Sequence, residues 1–125
     1  MAYEMIPKTQ FGRAGMYGDA WPTEPCIAFT KHGITLNAKF LAMFGVHKGT
    51  GLVFFVDREN RRVGLKIATE QGDFVNAFTV HAGGKSKMAS MVVTCGFLAK
   101  AFPDAVGKAF VARLNPGQRV IEVQL

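Results

Sequence analysis

The sequence predicts a mainly β domain with two short helices, built from two copies of a ββαββ unit. Short runs alternate apolar and polar residues and are bounded by Gly-, Pro- and Asn-containing turns, the period of half-buried strands. Apolar residues at helical spacing occur in two places only, each short. The same order of elements, and several of the same residues, recurs 57 to 58 positions along the chain. With 125 residues, 49% hydrophobic and 19% charged, the chain is one domain able to bury a core. Its eleven Phe, against one Trp and two Tyr, serve to fill that interior, because Phe has no polar handle to offer a ligand.

The opening segment, residues 1–24, reads as an arm: Gly12, Gly15, Gly18 and Pro22 break any helix or central strand. Its Phe11, Tyr17 and Trp21 either fold back onto the domain or stack on a partner. The body, 25–125, divides into repeats 25–72 and 73–125. In the first, Cys26 to Thr30 is a strand, Lys31-His32-Gly33 a turn, and Ile34-Thr35-Leu36 the returning strand. Asn37 offers an N-cap, Phe40, Leu41 and Phe44 keep helical spacing, and Gly45 supplies the stop. Leu52 to Val56 and the alternating Val63, Leu65 and Ile67 form a hairpin around Asp57-Arg58-Glu59-Asn60.

The second repeat follows the same order. Phe74 to His81 alternates as a strand, Gly83 to Lys87 turns, and Met91 to Thr94 returns. Phe97-Leu98-Ala99 begins a short helix closed by Pro103, and Lys108 to Leu114 and Arg119 to Leu125 pair around Asn115-Pro116-Gly117, an order suited to a type II turn. Phe40-Leu41-Ala42 lies over Phe97-Leu98-Ala99 at an offset of 57, whereas Phe44, Gly49, Val53 and Arg61 lie over Phe102, Gly107, Val111 and Arg119 at 58. This places one inserted residue inside the second helix.

The net charge of +6 is shared by both repeats: −1 in residues 1–24, +4 in 25–72 and +3 in 73–125. A basic folded body favours a polyanionic partner, nucleic acid first; the competing reading is a plain solubility charge. Cys26 and Cys95 have neither disulfide-framework nor zinc spacing and read as buried thiols of a reducing compartment. No apolar run is long enough for a signal peptide core or a membrane span, so the expectation is a soluble, cytoplasmic protein with no membrane partner. His32, His47 and His81 lack ligand spacing, and Ala82-Gly83-Gly84-Lys85-Ser86 lacks the first glycine of a phosphate loop. No paired acids or nucleophile-base order is present, so no enzyme, metal or cofactor is expected.

Gly33 to Ile67 carries a strand, a short helix ending in Phe44-Gly45-Val46, the bend Lys48-Gly49-Thr50 and a hairpin. In this it resembles the AbrB/SpoVT-type swapped-hairpin DNA-binding domain. Phe102-Pro103-Asp104 and Gly107-Lys108 stand in those places in the second repeat. The resemblance implies two interleaved hairpin units forming one small β-barrel, here as a monomeric pseudo-dimer or else a homodimer. It also implies DNA contacts from Lys31, His32 and Lys39 in one repeat and Lys85, Lys87 and Lys100 in the other. Ile34 stands where the family commonly has Arg after the turn glycine, so lysine contacts to phosphates are implied rather than base reading. The expected function is a small transcription regulator or DNA-associated accessory protein. The alternative is an interaction or inhibitory module, of phage or plasmid type, that binds a protein through residues 1–24.

Overall fold

The computed structural model describes residues 20–82 and 90–125. A helical turn, α1 (Ala20–Thr23), leads into a first hairpin of β1 (Cys26–Thr30) and β2 (Gly33–Leu36). The Thr30 hydroxyl closes it by accepting the His32 and Gly33 N–H groups at 3.3 and 3.1 Å. Helix α2 (Ala38–Phe44) begins where Asn37 Oδ1 accepts the Phe40 N–H at 2.8 Å, and ends at Gly45, whose φ of 65° only glycine adopts cheaply. The second hairpin joins β3 (Gly51–Asp57) to β4 (Arg62–Ile67). Then follow α3 (Gln71–Phe74), β5 (Phe78–Thr79), β6 (His81–Ala82), β7 (Met91–Thr94), α4 (Phe97–Ala101), a 3-10 turn (Pro103–Ala105), and a last hairpin of β8 (Ala109–Asn115) and β9 (Val120–Gln124).

All nine strands join one antiparallel sheet in the order β5-β3-β4-β9-β8-β1-β2-β7-β6. The two edge strands, β5 and β6, are consecutive in the chain and separated by Val80 alone. The Val80 N–H donates to Thr50 O at 2.9 Å and Val80 O accepts from Gly49 at 2.8 Å, so this segment brings the ends together and nearly closes a barrel. A row of unpaired backbone groups at an open edge is thereby avoided. Hairpin β1–β2 makes no strand pair with hairpin β3–β4. Each is instead flanked by strands from residues 73–125, through the pairs β1–β8, β2–β7, β3–β5 and β4–β9.

The main interior cluster includes Phe29, Ile34, Phe40, Leu65, Leu98 and Phe102, and a smaller one holds Trp21, Cys26 and Ala28. Several backbone features repeat at a spacing of 58. Gly49 and Gly107 have φ of 92° and 86°, and Arg61 and Arg119 have φ of 52° and 54°. Strand partners Asp57↔Arg62 and Asn115↔Val120 close hairpin loops of equal length. The hydrogen bonds of Val80 with Gly49 and Thr50 recur between Phe29 and Gly107 and Lys108, again at 2.8 and 2.9 Å.

Four expectations change. The residue buried from α4 is Leu98, 58 positions after Phe40, while Phe97 is part exposed, so no insertion interrupts the second helix. Its cap position is held by Cys95 and Gly96 rather than by an Asn, and α4 runs five residues against seven for α2. Phe74 to Ala77 is not strand: Asp73 Oδ2 accepts the Thr69 and Glu70 N–H groups at 3.3 and 3.2 Å, which winds the chain into α3 and confines the strand to Phe78–Ala82. The last hairpin lacks a type II turn. Asn115 Oδ1 accepts the Gly117 N–H at 3.1 Å, and the left-handed residue is Arg119 rather than Gly117. The two short helices become four short helices and a 3-10 turn among the described residues. The expected Gly83 to Lys87 turn lies outside the described residues, as do Phe11 and Tyr17 of the arm. Trp21 is buried against Cys26 and Ala28.

Candidate nucleic-acid interface

Of the six predicted contacts, the described ones, Lys31, His32, Lys39 and Lys100, lie at the two ends of the pairing of β2 with β7. Ile34 and Leu36 point inward from β2, and Val93 is buried on β7, so Thr35, Val92 and Thr94 belong to the outer face. The strands approach closely because position 33 is glycine: a Cβ there would lie 2.0 Å from the Val93 carbonyl oxygen. Close pairing continues past the strand end, where the Cys95 N–H donates to His32 O at 3.0 Å.

That bond sets the β1–β2 turn, with exposed Lys31 and His32, beside the start of α4, which bears exposed Lys100 in its last turn. Lys39 is exposed on the first turn of α2, at the opposite end of β2 and about 10 Å along the strand. Lys85 and Lys87 lie outside the described residues. The segment that contains them leaves β6 at Ala82 and returns to β7 at Met91, both in register with the end of β2 near Leu36, the end where α2 starts. At the His32 end, this pair of strands thus brings together lysines from both halves of the chain, Lys31 and Lys100. On β6, next to β7, His81 Nε2 lies 3.2 Å from Thr94 Oγ1, with the ring exposed.

The distribution of carboxylates sets this face apart. No Asp or Glu occurs from residue 25 to 56 or from 74 to 103, the two stretches that supply β1, β2, α2, β5, β6, β7, α4 and all of β3 but Asp57. These stretches hold six lysines and no arginine. The remainder of the body, residues 57–73 and 104–125, carries seven Lys and Arg against six Asp and Glu. The ion pairs among the described residues all belong to that remainder: Arg61 with Asp104 at 2.6 Å, Arg62 with Glu122 at 3.6 Å and Lys66 with Asp73 at 3.5 Å.

Its carboxylates are held in place as well as outnumbered. The Arg61 hydrogen bond keeps Asp104 below the usual Asp range, backbone N–H groups of Glu70 and Thr69 do so for Asp73, and Asn60 does so for Asp57. Negative charge is therefore fixed on one part of the barrel, and the β2–β7 part has none of its own. Lys48, exposed in the bend before β3, joins the same acid-free set and was not among the residues expected from sequence. Its signal is present in the sequence as the long gap between Glu24 and Asp57. Dividing the chain at its midpoint hides that gap, because each half contains both an acid-free and a mixed-charge stretch.

Among the described residues no three His, Cys, Asp or Glu side chains are grouped to hold a metal ion, and no helix is long and apolar enough to cross a membrane. No family model, curated protein or solved structure matches the chain.

Proposed function

We propose that this protein binds DNA through the β2–β7 face, using lysines from both repeats to hold phosphates with little reading of base sequence. The observation that carries the reading is the absence of any carboxylate from the two stretches that build this face. A surface of one sign attracts a polyanion and steers its approach. The absence of arginine in those stretches favours point-charge anchoring over bidentate contacts to base edges. The biological role that suits such binding is a transcription regulator or DNA-associated accessory protein, working in the cytoplasm.

The same reading takes the chain as an internal duplication of a swapped-hairpin unit, a pseudo-dimer within one chain. The matched glycines, arginines and hairpin registers 58 residues apart support it, as do the like closing hydrogen bonds that Gly49 and Thr50 make with Val80, and Gly107 and Lys108 with Phe29. Burial of Trp21 against Cys26 and Ala28 counts against a partner that docks through the arm, since that ring is already used.

The test compares charge reversals on the two parts of the barrel in a low-salt binding assay with duplex DNA. Lys31→Glu with Lys100→Glu weakens binding by about tenfold or more, whereas Arg58→Glu with Arg113→Glu, both on the mixed-charge part, changes it by less than about threefold. Absence of binding by the unmodified protein at low ionic strength overturns the proposal.

A further inference from the structure

We infer that this protein has a second binding site, independent of the DNA-binding face, that takes an apolar monocarboxylate such as a medium-chain acyl anion at Arg119. The case begins with two arginines in the same backbone setting. Arg61 and Arg119 each end a hairpin loop of equal length, each with φ near 53° and 58 residues apart. Arg61 lies over the Phe102 ring, 5.5 Å from its centroid, and donates to Asp104 Oδ2 at 2.6 Å. The chain thus shows what a guanidinium in this position binds: a carboxylate, above a phenyl ring. Arg119 shares a cavity lining with the matching phenylalanine, Phe44, but has no matching carboxylate. Phe44 stands 58 residues before Phe102, whereas Val46 occupies the place that corresponds to Asp104. Val46 is buried, and Arg119 has no ion-pair partner among the described residues.

Where the first arginine is closed down by its aspartate, the second borders a cavity of about 580 Å³. Its apolar walls come from Met43, Phe44, Leu65, Ile67, Leu114 and Ile121, and Arg119, Gln118, Lys66, Thr69 and Glu70 supply the polar part. Met43 and Leu114 are more than half exposed, which leaves a large apolar surface facing the opening. A volume of this size falls in the range of small-molecule sites, whose few polar groups orient an apolar body.

The electrostatics select the headgroup. Lys66 is already paired with Asp73, and the Glu70 side chain accepts the Asp73 backbone N–H, so Arg119 is the cation of this lining that no carboxylate reaches in an ion pair. A single carboxylate matches the guanidinium in geometry and meets the least repulsion from Glu70, which grows with each further negative charge on a dianion or phosphate.

Isothermal titration calorimetry with octanoate, 1-octanol and octanedioate tests this. Octanoate is expected to bind saturably at one site per chain, with 1-octanol and octanedioate at least about tenfold weaker. Arg119→Gln should weaken octanoate by about tenfold or more, while Arg61→Gln, altered at the matching backbone position, should leave it unchanged. Leu114→Glu, at an exposed wall position that tolerates a polar side chain, should abolish binding while the circular dichroism spectrum stays that of the unmodified protein. Failure of octanoate to saturate, equal binding of 1-octanol, or equal losses in the two arginine variants each overturn the inference. DNA binding is measured on the same samples and should not change with octanoate, so failure of this site leaves the β2–β7 reading intact.

Discussion

Asn37 shows how much of this fold can rest on one side chain. It is the only buried polar or charged residue among those described, and every group it has is used. Its Oδ1 accepts the N–H groups of Phe40 and Cys26 at 2.8 and 2.9 Å, while Nδ2 donates to the carbonyls of Trp21 and Glu24. It caps α2, starts β1 and ties down α1 at once. Sequence reasoning identifies the cap alone, because a local spacing shows a helix start but not partners 11 to 16 residues away. Asn37→Asp separates the roles: the cap survives, but a carboxylate then faces two carbonyls in a buried place. Both Asn37→Asp and Asn37→Ala should cost about 3 kcal/mol in urea unfolding. An Asp variant as stable as the unmodified protein would show that only the cap matters.

Cys95 is a second residue whose setting has a measurable consequence. Burial pushes its thiol up to about 12, and burial also raises Cys26. Both should resist alkylation at pH 8 in the folded protein and react in denaturant. In the unfolded chain Cys95 ionises near pH 9, while the native thiol keeps its proton up to about 12. Stability from this group is therefore complete below pH 9 and falls as pH rises across that window. Urea midpoints measured from pH 8 to 11 should fall more steeply for the unmodified protein than for Cys95→Ala.

At the scale of elements, hairpins were more legible than the units that join them. Alternation and turn chemistry place β1 to β4 and β7 to β9 within a residue or two, because each is set by neighbours in sequence. The segment before β5 misled for a physical reason. Phe74 and Phe78 share a strand's parity, yet the Asp73 carboxylate satisfies the Thr69 and Glu70 N–H groups and makes a helical turn cheaper there. Gly117 misled similarly, since Asn115 builds the turn and passes the left-handed position to Arg119.

The candidate face was legible as a list of lysines but not as a surface. Which ends of β2 they occupy depends on the β2–β7 register, a pairing between residues some 60 positions apart. Gly33 makes that register possible. Gly33→Ala sets a Cβ against the Val93 carbonyl, a backbone atom that no side-chain rotation can move away. Destabilisation by more than about 3 kcal/mol follows, with loss of protection in amide exchange concentrated on β2 and β7. An Ala variant that retains native exchange at Val93 would show that the strands can separate at little cost.

For the whole molecule, the interleaving of the halves predicts all-or-none folding. Strands from residues 26–67 and 78–124 alternate in pairs around the barrel, so neither half can bury the faces of its own two hairpins. Fragments 25–72 and 73–125 should each lack cooperative unfolding, whereas the intact chain should melt in one transition. A fragment with a cooperative melt of its own would contradict the interleaved account. The same arrangement sets β2 and β7, one from each acid-free stretch, side by side, which links how the chain is folded to what it is proposed to hold.

The most direct test is the salt dependence of duplex DNA binding. If about six phosphates are neutralised, log K falls against log salt with a slope near −5, since each contact contributes about −0.9. Replacing Lys31, Lys39 and Lys100 together by Gln should flatten that slope by about 2.7, while replacing Arg58 and Arg113 by Gln should leave it unchanged. A slope that is insensitive to the three lysines, or that is reduced instead by the two arginines, would contradict the account.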